Sequence, residues 1–252
     1  MESGRYTKGR PKSLTVLDYG LFRVHSTGRI IGICGFLIRT DADECVLVDT
    51  GFPSKYAYDI ATSSAEDNLG EFGEVLECSP ANLPAAQLAR CGVRQDDIDL
   101  LILTHSHIDH VGGIGDFPQA PILLSRPEHE SARPLYWGNA QPMDWPAREY
   151  RALDADTQIG PGLQVLMTPG HAPGQMSLLV ELPETGPVLL TSDAISRPAE
   201  IEEGFAGAAD PPAARASAAR LMALARERDA FVIFGHWPEQ WPKLRKAPEA
   251  YT

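Results

Sequence analysis

The sequence predicts an α/β domain built on β-sheet, and three observations predict it. Short runs of branched apolar residues, punctuated by Gly and Asp, recur along the chain as buried strands do. Two segments of helical period lie among them. Four of the apolar runs end at a His or an Asp, the arrangement by which a rigid sheet aims several loops at one point.

In chain order, Leu14–Leu17, Ile30–Ile38 and Cys45–Val48 make the N-terminal half read as β. Leu83–Cys91 reads as a short amphipathic helix, with Leu83, Ala86, Gln87 and Leu88 on its apolar side and Gly92 as its stop. Ile98–Leu103 then runs into Thr104-His105, Leu163–Met167 into Thr168-Pro169-Gly170-His171, and Val188–Leu190 into Thr191-Ser192-Asp193. Between that run and the last, Phe231–Phe234 leading to Gly235-His236, the Ala-rich stretch Ala206–Ala230 reads as one helix. Asp210 is its cap and Pro211 suits its first turn, while Ala214, Ala218, Leu221 and Ala225 share one face.

A length of 252 residues suits one large domain spanning 1–252, with 43% hydrophobic and 22% charged residues as in a globular enzyme. The net charge of -12 argues against a nucleic-acid backbone as partner, which would call for a basic surface. No apolar run approaches the roughly 18 residues that span a bilayer, so no membrane span is expected. Met1–Lys12 is polar and basic with no apolar stretch behind it, so no secretory leader is visible. Cys34, Cys45, Cys78 and Cys91 form no CxxC pair and read as thiols in a reducing cytoplasm.

The chemistry concentrates in His105-Ser106-His107-Ile108-Asp109-His110. Imidazole nitrogen with carboxylate oxygen is the donor set that suits zinc and similar divalent ions. The chain has seven histidines, and five of them fall at strand-end positions, leaving His25 and His129 aside. Seven ligands are on offer: His105, His107, Asp109, His110, His171, Asp193 and His236. One ion needs about four, so the count points to two divalent ions, most simply Zn2+, sharing a carboxylate at Asp193. Such a pair would generate a hydroxide from a shared water near neutral pH and polarise a substrate carbonyl. Asp109 is the candidate catalytic carboxylate, able to bond that nucleophile and carry a proton to the leaving group. Asp49, in Leu47-Val48-Asp49-Thr50-Gly51, reads either as an orienter of a ligand histidine or as a turn former.

At these residues the chain resembles the metallo-β-lactamase superfamily. THSHIDHVGG (104–113), TPGHAPGQMSLLV (168–180), LLTSDA (189–194), FGHW (234–237) and LVDTG (47–51) stand in that family's order and approximate spacing. The resemblance covers roughly residues 14 to 240 and implies an αββα sandwich of two mixed β-sheets flanked by helices, with the site along one edge. It implies that His105, His107 and His171 hold one metal, that Asp109, His110 and His236 hold the other, and that Asp193 bridges them.

Within the superfamily, the approach GVRQDDIDLLILTHSHIDHVGG (92–113) and the TPGH segment are most similar to the N-acyl homoserine lactonase, quorum-quenching branch. That resemblance implies a small-molecule substrate, a lactone or ester with an apolar acyl group, and, since relatives are commonly dimers, a homodimer as one option. The loop from Tyr136 to Tyr150 carries Tyr136, Trp137 and Trp145 and reads either as cover for an acyl chain or as a loop held by its own aromatics. Where lactonases of the branch carry a tyrosine three residues after the bridging aspartate, this chain has Ser196, the matching substrate-binding candidate; Tyr56 or Tyr58 are candidates to take over the phenol's role. The alternatives are a hydrolase of the same fold acting on another ester, a thioester or a phosphodiester, and a catalytically silent metal-binding protein. Arg126 and Arg133 are the only basic residues between His110 and Tyr136 that could serve a phosphate.

Overall fold

The computed structural model describes residues 6–138 and 140–252; the reading of Met1–Lys12 therefore falls partly outside the described residues. Two mixed sheets form. The first has seven strands in the order β4-β1-β2-β3-β5-β6-β7, from β1 (Pro11–Val24), β2 (Ile30–Thr40), β3 (Cys45–Val48), β4 (Gly73–Glu77), β5 (Leu100–Ile102), β6 (Ile122–Ser125) and β7 (Tyr150–Leu153). The second has five in the order β12-β11-β10-β9-β8, from β8 (Thr157–Gly160), β9 (Leu163–Met167), β10 (Met176–Leu182), β11 (Gly186–Leu190) and β12 (Phe231–Ile233). Pairing from β3 through β5 and β6 to β7 is parallel, as is β11 with β12; the remaining ladders are antiparallel.

The period of two along each strand explains the layers. In β3, Val46 and Val48 point between the sheets, where they meet Leu178, Val180 and Val188, while Cys45 and Leu47 point to the outer face. In β5 and β6 the same alternation sends Leu100, Ile102 and Leu123 inward and Leu101, Ile122 and Leu124 outward. The outer face of the first sheet is covered by α1 (Ile60–Glu66), α2 (Pro84–Arg90) and α3 (Ile108–Val111). Leu166, Leu179 and Leu189 face the other way, out of the second sheet, onto Ala214, Ala218, Leu221 and Ala225. This is the expected αββα sandwich. Strands buried on both faces read as continuous apolar runs, which is why β3, β5 and β11 were visible in sequence.

Two short helices, α4 (Arg126–His129) and α5 (Glu200–Glu203), precede the long one, α6 (Pro211–Arg228), inside the predicted Ala206–Ala230. The Asp210 side chain accepts from Ala213 N–H at 3.0 Å, as the cap reading required. The Leu83–Cys91 helix appears as α2. All four cysteines are free thiols, and among the described residues no helix is long and apolar enough to cross a membrane.

Candidate metal centre

Four strand ends deliver the ligands to one edge. β5 runs through Leu103-Thr104 into His105, and His107 stands immediately before α3, which carries Asp109 and His110. β9 leads to His171, β11 to Asp193 and β12 to His236. The turn before His171 depends on Gly170, whose φ is +140°; a Cβ there would lie 2.3 Å from the Ala214 nitrogen at the start of α6. Asp210 N–H donates to Gly170 O at 2.8 Å, seating the loop on that helix.

The donors interlock. His107 Nδ1 lies 3.0 Å from His105 Nε2 and 2.9 Å from His171 Nε2. Asp193 Oδ2 lies 3.4 Å from His171 Nε2, and Asp193 Oδ1 lies 3.5 Å from His110 Nε2 and 3.1 Å from His236 Nε2. Asp109 Oδ2 stands 3.6 Å from His110 Nε2 and 3.5 Å from His236 Nε2. Donors about 2.05 Å from a tetrahedral zinc are separated by about 3.3 Å, the middle of this range. His110 Nε2 and Asp193 Oδ1 are buried and have no hydrogen-bond partner among the described residues, a costly state that a cation relieves. The residues present fit two ions: His105, His107 and His171 form one cluster, Asp109, His110 and His236 another, and His105, His110 and Asp193 join them.

Electrostatics agree with the geometry. Burial, with His110 and His107 alongside, holds His105 well below the usual histidine range; burial likewise lowers His107 and pushes His171 down to about 4. These three rings stay neutral with lone pairs available, as metal ligands must be. Burial alone would lower His110 and His236 too. For His110 the carboxylates of Asp109, Asp49 and Asp193 outweigh it and raise the ring to about 10. For His236, Asp193 leads in raising it to about 9. Asp193, which burial would raise, is held well below the usual carboxylate range by His236, His110 and His171. The second cluster is thus a negative hollow that retains positive charge, protons or metal.

Two acceptors set ring tautomers. His110 Nδ1 lies 2.8 Å from Asp49 Oδ2, and His236 Nδ1 lies 2.9 Å from the Gly32 carbonyl oxygen. Each Nδ1 therefore carries hydrogen, which makes Nε2 the atom a metal would take in place of a proton. Asp49 also accepts from Thr104 N–H at 2.8 Å and Thr104 Oγ–H at 2.7 Å. Of the two readings of Asp49, its side chain serves the orienting one. His107, Asp109 and His171 are partly exposed while the other four ligands are buried, so the centre opens to solvent on that side.

Residues 35–236 match the metallo-β-lactamase superfamily model. The chain belongs to the metallo-β-lactamase superfamily. It is 35% identical over 225 residues to the N-acyl homoserine lactonase AiiA of Bacillus thuringiensis subsp. kurstaki, covering 85% of this chain and 84% of that one. It is 36% identical over 181 residues to the N-acyl homoserine lactonase AttM of Azorhizobium caulinodans, covering 66% and 68%. Among solved structures it is similar to an N-acyl homoserine lactone hydrolase with its product N-hexanoyl-L-homoserine bound at the catalytic metal centre, with TM-score 0.82, 31% identity, and coverage of 96% and 100%.

The superfamily's ligand set comes together here; the substrate-binding candidates do so unevenly. Ser196 stands just past Asp193, half-buried, with its N–H donating to Glu200 Oε2 at 2.8 Å and its carbonyl accepting from His236 N–H at 2.9 Å. Tyr136 is not a surface cover. It is 1% exposed, and its hydroxyl donates to Asp67 Oδ2 at 2.8 Å, so its phenol is committed to the interior. Its backbone braces His107 from both sides, Tyr136 N–H donating to Ser106 O at 2.8 Å and Ile108 N–H to Tyr136 O at 2.9 Å. Trp137 packs on Phe72 at 4.4 Å between ring centroids, and its Nε1 donates to Asn68 O at 3.3 Å. Trp145 donates to Ser131 O and meets Tyr150 edge-on, so the loop is held by its own aromatics. Tyr56 is fully buried with its hydroxyl also on Asp67, which removes it as a stand-in for the phenol; Tyr58 is 75% exposed. Sequence reasoning missed Gly32 and Asp67, neither of which stands in a motif.

Proposed function

We propose that this chain is a dinuclear metal-dependent hydrolase that opens N-acyl homoserine lactones or related lactones. The observation that carries the reading is the complete seven-donor set, with Asp193 facing both clusters, in a chain 35% identical to N-acyl homoserine lactonases over 85% of its length. Its donors, mostly imidazole with two carboxylates, suit zinc. When bound, two such ions would supply a nucleophile from water at neutral pH and electrophilic pull on the ester carbonyl.

The side chains do the rest. Asp193 and Asp109 lower the local potential so that cations are retained, and Asp49 and the Gly32 carbonyl aim His110 and His236 inward. Asp109, with 18% of its side chain exposed and Oδ2 within 3.6 Å of two candidate ligand nitrogens, would take a proton from the attacking water. It would return that proton to the ring oxygen as the carbonyl-carbon to ring-oxygen bond breaks, giving a hydroxy acid. The lactone would enter on the side of His107, Asp109 and His171.

A second reading, hydrolysis of a different ester or lactone on the same centre, is favoured by one observation: Ser196 replaces the phenol, and both Tyr56 and Tyr136 are committed to Asp67. The test is a panel of short- and long-chain acyl lactones, simple esters and phosphodiesters, run beside metal quantification. Ring opening that requires metal is expected. A metal-loaded protein inert toward every acyl lactone would overturn the proposal.

A further inference from the structure

We propose that Glu128 is a positioning residue for the metal centre, its carboxylate locking the loop that carries His105 and His107 to the loop that carries His171. The inference rests on the two-metal reading.

Glu128 is 1% exposed. A carboxylate so buried costs several kcal/mol unless it is paired or fully hydrogen-bonded. No Lys, Arg or His forms an ion pair with it among the described residues; its partners are hydrogen-bond donors from the two ligand loops. Oε2 accepts from Ser106 N–H at 3.0 Å and from the Ser106 hydroxyl, and Oε1 accepts from Gly174 N–H at 3.0 Å. Ser106 stands between two ligands and Gly174 three residues after the third. One anion therefore spans 68 residues of sequence between these loops.

The attachment is rigid at its own end. Glu128 lies in α4 directly after β6, with its N–H donating to Ser125 Oγ at 3.4 Å. The Gly174 loop approaches so closely that a Cβ would lie 2.0 Å from Ser125 Oγ and 2.6 Å from Glu128 Cγ. The Ser106 hydroxyl also accepts from Leu135 N–H at 3.0 Å, so both its hydrogen and its oxygen are engaged.

Why a metal should feel this lies in His107. The ring nitrogen it turns toward the cluster is Nδ1, the one nearer the backbone, so a shift at Ser106 moves it almost undiminished. That Nδ1 lies within 3.0 Å of both His105 Nε2 and His171 Nε2, on the two loops that Glu128 joins. A few tenths of an ångström of drift between the loops would change this cluster and leave the Asp109, His110 and His236 cluster in place.

The test uses the full chain, loaded with zinc or cobalt. Glu128→Gln keeps the shape but turns an amide N–H toward a backbone N–H, breaking one of the two loop attachments. Chelator competition should show one of the two zinc ions bound about 10- to 100-fold more weakly, the cost typical of losing such an outer partner, with the other nearly unchanged. The cobalt absorption spectrum should shift accordingly. Ser106→Ala removes the hydroxyl contact to Glu128, together with the acceptor of Leu135 N–H, but keeps the Ser106 N–H contact, so it should weaken the same ion by a smaller factor, which keeps the test available if Glu128→Gln does not fold. Both ions held at wild-type affinity with an unshifted cobalt spectrum, even with a lowered melting temperature, would overturn the inference and leave Glu128 a residue of the fold. A wild-type protein that binds no metal would instead overturn the two-metal reading itself.

Discussion

Asp49→Asn isolates what the carboxylate does for the second cluster. Asp49 is 2% exposed and its carboxylate accepts three hydrogen bonds, from Thr104 N–H, Thr104 Oγ–H and His110 Nδ1–H. Asparagine keeps the oxygen that accepts from Thr104 N–H, and it tolerates the φ of +58° at this position about as well as aspartate does. What it loses is the charged Oδ2 acceptor opposite His110, which Thr104 Oγ–H also uses and can replace by turning to Ser192 Oγ at 2.9 Å. The ring then favours the other tautomer, with hydrogen on Nε2, the atom that faces Asp109 and Asp193. A charge-assisted hydrogen bond contributes about 1.5–3 kcal/mol. At about 1.4 kcal/mol per tenfold, that is roughly 10- to 100-fold in affinity, matching the usual cost of removing an orienting carboxylate from a metal-bound histidine. Alanine would be the wrong probe, because it adds about 1–2 kcal/mol of backbone strain at positive φ and leaves the buried Thr104 N–H unpaired. The assay is zinc retained per chain against a graded chelator, with thermal unfolding of the metal-free protein as control. Two zinc ions retained at wild-type affinity in a folded Asp49→Asn protein would refute the tautomer argument.

Other outcomes follow from the same structure. Exhaustive chelation should abolish hydrolysis and zinc should restore it, while His107→Ala, which deletes the donor shared between His105 and His171, should lower turnover by orders of magnitude even with excess zinc. Tyr136→Phe should cost about 1.5–3 kcal/mol in urea unfolding, because it removes one bond to the buried Asp67 carboxylate. The cluster around Asp67 also sets an alkaline limit. Burial, then Asp67, raises Tyr56 and Tyr136 well above the usual phenol range, and Asp67 and Glu66 raise Lys55 against the lowering effect of burial. Groups raised on folding stabilise the protein below their unfolded pKa of about 10, so this contribution should be intact at pH 7–9 and fall above about 10, less steeply in Tyr136→Phe. Ser196→Tyr should leave stability unchanged and raise kcat/KM for acyl lactones by about 2- to 10-fold, the worth of one added hydrogen bond; a loss of lactone turnover would show that this site is shaped for another substrate.

The centre was legible because its ligands follow apolar runs. Leu100–Ile102 and Val188–Leu190 are buried throughout, and the residues just past them reach the sheet edge where the candidate ligands gather. The ligand count then called for two ions, and the resemblance to the superfamily implied how the ligands divide between them. Other elements escaped for equally physical reasons. β7, Tyr150–Leu153, is half-buried and carries Arg151, so it lacks the continuous apolar run that marked its neighbours. The inward turn of the Tyr136 ring was not legible because aromatic content does not say which way a ring points; its partner Asp67 lies 69 residues away and no local pattern connects them. Glu128 sits in Arg126-Pro127-Glu128-His129, a segment with no motif to show that Ser106 and Gly174 close over its carboxylate.

These anchors separate two properties of the molecule. The ligands are fixed by backbone groups and buried carboxylates: Gly32 O on His236, Asp49 on His110, Tyr136 N–H and O around His107. Even Ser196 contributes through its main chain, its carbonyl accepting from His236 N–H and its N–H donating to Glu200. None of those Ser196 contacts depends on its hydroxyl, so residue 196 can change from phenol to serine while the metal-holding frame stays as it is. The frame sets which chemistry is available. On the proposed reading the choice of carbonyl falls to side chains outside that frame, Ser196 among them, and Ser196→Tyr tests the assignment.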